Sequence, residues 1–254
     1  MYDYYLGGSH NFAVDREAAQ QAMRHMPELP YVLRENRSFL RRAVRFLVGA
    51  GVRQFLDLGS GIPTVGNVHE VVHRLSPGAK VVYVDVDPVA VAHSAAILAG
   101  DERAAVIQAD VRRTEEVLDH PDLRRTIDLD EPVGVLLVAV LHFIDDEDDP
   151  AGIVARLRDA VVPGSQIAIS HASREGQPPA GMESAEAVYA RTSTPMVMRS
   201  RTQVADLFTG LELADPGVVQ LPLWRPEADD TPDSRAKRFP GFGGVGRKAA
   251  GHPT

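Results

Sequence analysis

The chain has 254 residues, of which 44% are hydrophobic and 24% charged, with a formal net charge of -8 and no cysteine. This composition excludes a disordered or fibrous chain, a disulfide scaffold, a thiolate metal site and a cysteine nucleophile. The acidic balance argues against nucleic acid as a partner, because phosphate binding needs a basic footprint.

No apolar run approaches the ~20 residues of a membrane span, so no membrane partner is expected. The opening MYDYYLGGSHNF lacks the basic-then-apolar layout of a secretory signal. A cytoplasmic location suits both facts and the missing cysteines.

Residues 1–50 read as an N-terminal helical cap. In 31–51, Val32, Asn36, Phe39, Leu40, Ala43, Phe46 and Leu47 share one face at a 3.6-residue period. Arg34, Arg37, Arg41 and Arg45 fall on other turns, where a solvated face is the ordinary reading of arginine. Residues 51–254 then alternate short β-branched runs with helical patterns, which predicts a parallel α/β sheet. Strands are expected at 54–58, 80–87, 104–110 and 165–172, with the apolar run 133–144 as the central one. Helices are expected at 66–75, 88–99, 114–119, 149–161 and 202–211. The segments 217–224 and 242–248 read as a closing strand pair. An irregular stretch at 173–200, rich in Pro and Gly, interrupts the pattern and suits a substrate lid.

The strongest local signal is 55-FLDLGSGIPT-64. A strand ends, and Gly59 and Gly61 let the backbone turn sharply and approach a ligand. Asp85 follows Gly61 by 24 residues at the tip of the next strand. That is near the ~20-residue offset at which an acid accepts from ribose hydroxyls. Thr64 stands where a dinucleotide fingerprint has its third glycine, and Pro63 removes an amide from the helix start. No Gly-Lys-Ser/Thr follows, as a phosphate-binding loop would require. Asp57 would repel a pyrophosphate but suit a cationic ligand. These departures describe a nucleoside with an ammonium group and no phosphate, and S-adenosylmethionine (SAM) fits.

The ordered segments LDLGSGIPT, VVYVDVDP, VIQADV, LLVAVLHFIDD and VPGSQIAISHAS resemble a class I SAM-dependent methyltransferase. The opening YDYYLGG, the segment NRSFLRRAV and the tail pieces LWRP and GGVGRK are similar to the actinobacterial S-adenosyl methyltransferase family, first catalogued as a domain of unknown function. Members of that family carry further residues before the YDYYLGG segment, at which this chain begins.

The resemblance implies a Rossmann-like fold: a seven-stranded, mostly parallel sheet with helices on both faces. It also implies that Gly59, Ser60 and Gly61 cradle the methionine end of SAM, with Asp57 beside it. Asp85 would bind the ribose, and Val86 would lie against the adenine. Asp110 would accept from the adenine amino group beside Val111, and Leu141 and His142 would lie close to the sulfonium. Tyr5 and Gly8 would fold over the cofactor. Arg37 is a candidate for the methionine carboxylate, since arginine binds carboxylates in bidentate fashion.

A sulfonium methyl is already electrophilic, so alignment of the acceptor outweighs any single base. Where a base is used, His142 is the candidate: it follows the central strand and imidazole titrates near neutrality. A histidine that only caps the strand end is the competing reading, and His171 is a second candidate. Tyr189, Met196, Met198, Arg199 and Trp224 mark the substrate neighbourhood. The acidic run 145–149 precedes a helix, whose positive end favours carboxylates, so no metal is assigned. The expected activity is methyl transfer to a small molecule, of the kind found in actinobacterial secondary metabolism. The same cofactor motifs would serve a SAM-consuming cyclisation or an idle SAM-binding protein. A homodimer is left open.

Overall fold

The structure is a computed structural model and describes residues 27–62, 66–175, 196–227 and 232–250, together with Arg16, Gln20, Met23 and Arg24. Helix α1 spans Leu29–Gly49, with Pro30 in its first turn, where a missing N–H costs nothing. The periodic face identified in the sequence points inward: Phe39, Ala43 and Leu47 are fully buried.

Five parallel strands follow: β1 (Gln54–Leu58), β2 (Lys80–Asp85), β3 (Ala104–Gln108), β4 (Val133–Val138) and β5 (Gln166–Ala172). Their connections carry α2 (Val68–Leu75), α3 (Pro88–Ile97), α4 (Thr114–Leu118), α5 (Pro121–Thr126) and α6 (Pro150–Ala160). After α7 (Arg201–Asp206) come β6 (Glu212–Leu213), β7 (Val219–Gln220) and β8 (Gly241–Arg247). The order is β3-β2-β1-β4-β5-β8-β6, and β7 also pairs with β8. β8 runs antiparallel to β5, β6 and β7.

Among the described residues the sheet has the seven expected strands along this path, with β7 as an eighth off it. The extra strand arises because the run before β8 pairs in two separate pieces, Glu212–Leu213 and Val219–Gln220.

Alternation along the strands sends successive side chains to opposite faces. Phe55, Tyr83, Leu136 and Ala168 pack with α1 and α2 on one face. Leu56, Val82, Leu137 and Ile169 pack with α4 through α7 on the other. Trp224 closes the α1 side. It is fully buried and meets Phe39 and Phe46 edge-on at ring separations of 5.3 and 5.7 Å. Each such pair adds about 0.5–1.5 kcal/mol beyond area burial. Trp224 is thus packed in the core beneath α1.

Arg42, one of the arginines of α1, is also buried. It donates to the carbonyls of Leu221 (2.7 Å) and Trp224 (2.9 Å), tying α1 to the C-terminal third of the chain.

Several assignments depart from expectation. The apolar run 133–144 is strand only to Val138; Ala139 then turns with φ of +59°. A short helical turn, Leu141–Phe143, follows with Leu141 fully buried, so the hydrophobicity continues after the strand has ended. The helix expected over 202–211 is α7, which runs only from Arg201 to Asp206, capped by Ser200 in a reciprocal pair with Gln203. Helix α5, capped by His120, was not anticipated. Among the described residues no helix is long and apolar enough to cross a membrane.

Candidate active site

The C-terminal tips of β1, β2, β4 and β5 meet at one edge, where chain connections reverse direction and open α/β sheets bind ligands. At β1 the chain turns through Gly59 (φ +71°) and Gly61 (φ +63°). The Gly59 and Ser60 amides both donate to the Val84 carbonyl, at 2.8 and 3.2 Å, which locks the turn against β2. A side chain at Gly59 would collide with Val140, its Cβ approaching the Val140 Cβ at 2.7 Å. At Gly61 the space a Cβ would occupy is open.

Asp85 completes the turn from the tip of β2. Its Oδ2 accepts from Gly61 N–H at 2.6 Å and its Oδ1 from Asp87 N–H at 2.9 Å. Asp87 in turn caps α3 by accepting from Val89 N–H at 2.9 Å. Asp87 thus starts the helix and Asp85 braces the glycine turn. Val86, between them, is 62% exposed beside the half-exposed Val89, an apolar surface at the mouth of the site.

Asp57 lies inside β1, paired in register with Tyr83 on β2 and buried on the α1 face. Burial pushes its carboxyl up to about 7; Arg37 opposes this shift and Asp85 adds to it. Arg37 reaches over from α1 and donates to Asn67 Oδ1 at 3.5 Å. Tyr83 is held by His69, whose backbone N–H donates to the phenol oxygen at 2.8 Å and whose Nδ1 lies 2.7 Å from it. Burial, and then the Asp57 charge, raise the Tyr83 phenol well above its ordinary range.

Asp110, beyond β3, is half-buried and engaged by Arg112, whose Nε lies 3.0 and 2.9 Å from its two carboxylate oxygens. These bonds hold Asp110 below the usual carboxylate range. Arg112 also reaches Asp148 at 3.2 Å. Val111 is buried next to Asp110.

The loop after β4 carries Leu141 and His142. The His142 Nδ1 accepts from Ala172 N–H at 3.4 Å, so its ring hydrogen sits on Nε2 and the ring presents a donor. Burial, then the neighbouring His171 and Arg199, lower its pKa well below the ordinary value, which keeps it neutral. His171 faces it at a ring separation of 5.6 Å. In His171 Nδ1 donates to the Ala172 carbonyl at 2.8 Å, and Nε2 accepts from Arg199 at 2.9 Å. Burial brings the His171 pKa down to about 4.

Arg199 also donates to the carbonyls of Leu141 (3.0 Å) and Ile144 (2.9 Å) and to Asp146 Oδ1 (2.6 Å). Its guanidinium is a clamp on the 141–146 loop, behind the wall of the site. Of the remaining acids in the run 145–149, Asp149 caps α6 by accepting from Gly152 N–H at 2.9 Å.

Beside this loop lies a cavity of about 150 Å³. Its walls include Val32 and Asn36 of α1, His142 and Phe143, Met196 and Met198, and Phe239. Ser170 forms part of its floor; its hydroxyl donates to Asn36 Oδ1 at 2.6 Å and accepts from Ala139 N–H at 2.9 Å. Tyr5, Gly8 and Tyr189 lie outside the described residues.

Sequence reasoning missed Arg42, Ser170 and Phe239. Only Arg42 carried a signal: its place three residues after Phe39 and one before Ala43 puts it at the edge of the buried face.

A model of the S-adenosyl methyltransferase family matches residues 1–249. Among solved structures, a duf574 family protein from Streptomyces avermitilis is 40% identical, with a TM-score of 0.92 over 97% of this chain and 95% of its own. A methyltransferase candidate from Thermobifida fusca is 41% identical, with a TM-score of 0.89 over 98% of this chain and 93% of its own. Human N-acetylserotonin methyltransferase, solved in complex with SAM, shares the fold at 14% identity and a TM-score of 0.53, over 98% of this chain and 63% of its own. No curated protein matches the chain. With its parallel sheet, its glycine turn and a family match running almost end to end, the chain belongs to the S-adenosyl methyltransferase family and is a SAM-dependent methyltransferase.

Proposed function

We propose that SAM lies along the edge formed by the β1 turn and the tips of β2 and β3, and that the chain transfers its methyl group to a small molecule held beside the 139–144 loop. The observation that carries this reading is the Asp85 carboxylate, fixed by two backbone amides next to a glycine turn with open space above Gly61. Two ionised oxygens with lone pairs to spare suit a ribose diol. Asp57 fits the ammonium group: a buried acid that ionises reluctantly gains when a cation arrives. Arg37, close enough to influence Asp57, suits the methionine carboxylate. Exposed Val86 offers a face for adenine, with Val111 and the Asp110 carboxylate alongside. Gly59 and Ser60 hold the turn, and Leu141 backs the loop. An adenine amino group would share Asp110 with Arg112.

Bound SAM supplies an electrophilic sulfonium methyl. The protein's part is to align the acceptor, and proximity of this kind supplies about 7–11 kcal/mol. His142 is buried and weakly basic, and its tautomer directs a donor from Nε2. It serves better to orient the acceptor than to deprotonate it. Met196 contributes to the acceptor cavity, and Arg199 positions the loop carrying His142. The natural setting is cytoplasmic, in keeping with a chain that has no cysteine, and neither nucleic acid nor membrane is required.

Calorimetric titration with SAM, S-adenosylhomocysteine and NAD tests the reading. Both adenosyl ligands are expected to bind in the micromolar range and NAD not at all. Asp85→Ala should weaken SAM by about 100-fold, the loss of two hydrogen bonds to a charged group at ~1.5 kcal/mol each. Unchanged SAM affinity in that variant would sink the assignment.

A further inference from the structure

The cavity beside the 139–144 loop has walls of one chemical character. Aliphatic and aromatic side chains with two methionines make up most of them, and none of the described lining residues is Asp, Glu, Lys or Arg. Both imidazoles that border it are held neutral by burial. The Arg199 guanidinium lies behind His171 and is engaged by two carbonyls, an imidazole and a carboxylate. A charged group entering this space would shed its water and meet no counter-charge among the described lining residues.

Size narrows the occupant further. An apolar cavity of about 150 Å³ accommodates a benzene-sized group. Phe143 and Phe239 supply ring edges and faces, and Met196 and Met198 adapt to an irregular outline. Asn36 and Ser170, hydrogen-bonded at 2.6 Å, form one polar end of the wall, and His142 and His171 are its other polar side chains. Ala139, part of the cavity wall, precedes Val140, the residue that lies against the Gly59 turn. The polar end therefore adjoins the segment that separates the cavity from the glycine turn.

We propose that this cavity receives an uncharged, single-ring portion of the methyl acceptor, with its one polar substituent at the Asn36–Ser170 pair. The role as acceptor rests on the methyl-transfer reading above, whereas the chemistry of the occupant rests on the walls alone.

The test uses the full chain and three probes of similar shape: phenol, benzoate and benzylamine. Imidazole NMR signals of His142 and His171 are followed during each titration, and SAM is titrated calorimetrically into the same preparations. Phenol is expected to shift both signals saturably. Benzoate and benzylammonium should need concentrations at least about tenfold higher, because each would have to lose its hydration unpaired.

Ala172→Leu fills the cavity and should abolish the phenol shift. Val32→Phe does the same from the opposite wall should the first variant fail to melt cooperatively. Charged probes that bind as well as phenol would overturn the proposal, as would a phenol response that survives in a folded, filled variant. SAM binding without any phenol response overturns the acceptor inference alone. Phenol binding without SAM binding overturns the cofactor reading and leaves the chemistry of the cavity standing.

Discussion

Arg199 donates to His171 Nε2 at 2.9 Å, and the bond fixes which nitrogen of a buried imidazole carries its hydrogen. The same guanidinium binds the Leu141 and Ile144 carbonyls. Replacing it by Met leaves two buried acceptors, the Ile144 carbonyl and His171 Nε2, without their donor, each costing about 1–3 kcal/mol, while the Leu141 carbonyl keeps the Ile144 N–H. Arg199→Met is expected to lose ~3 kcal/mol or more of unfolding free energy in urea. Methyl-transfer rate should fall with it, because the loop carrying His142 loses its anchor. Chemical denaturation with matched activity assays checks both effects.

His171 makes acid stability predictable in sign. Its pKa is 6.5 in the unfolded chain and about 4 when folded. Between those values the unfolded state holds a proton that the folded state lacks, so stability falls as pH drops through this window and is fully present above it. His142 acts in the same direction. Each group contributes a slope of at most ~1.4 kcal/mol per pH unit. Melting curves from pH 7 down to 4 should show the loss, and His171→Gln should flatten it.

Asp57 works in the opposite sense. Its folded pKa of about 7 exceeds the unfolded 3.8, so its ionisation costs stability progressively as pH rises through that range. Asp57→Asn should therefore be more stable than the parent at pH 8, on the order of 3 kcal/mol, and nearly equal to it at pH 4. Arg37, Asp85 and Tyr83 are the groups that influence the carboxyl, and all remain in the variant. SAM affinity of the parent should rise from pH 6 to 8 with release of a proton, and the variant should lose that dependence. Titrations in buffers of differing ionisation enthalpy measure the proton directly.

Gly59→Ala combines two costs. The backbone sits at φ +71°, about 1–2 kcal/mol unfavourable for a residue with a Cβ. The added carbon also meets Val140, an overpacking cost of ~1–3 kcal/mol. A destabilisation of ~2–4 kcal/mol is expected, with SAM affinity reduced because the turn must open. Gly61→Ala meets no neighbour but keeps the φ cost, and should destabilise less. Equal destabilisation of the two would contradict this account.

The β1 turn and the tip of β2 were legible because their cause is local. A glycine at positive φ and an acid at a strand end are visible in the sequence, and Asp87-Pro88 announces a helix start. The end of β4 was not, because the run 133–144 stays apolar through a turn that is itself buried, as Leu141 and Ile144 are. Periodicity reads burial, and there burial did not change where the backbone did. Arg42 went unremarked in the sequence, and Arg199 was read as a residue that meets substrate. What sets them apart is the carbonyls left over at the Leu221–Trp224 and Leu141–Ile144 turns, which exist only once distant segments have come together.

The two bonds from Arg42 to Leu221 and Trp224 span 179 and 182 positions of the chain. During synthesis α1 leaves the ribosome early, and the carbonyls that receive its guanidinium are added only after most of the chain has been made. β8, which completes the sheet beside β5, arrives later still. Contacts this far apart close slowly. Until then the apolar face of α1 lacks one of its covers, Trp224, and stays open to water or to other apolar surfaces.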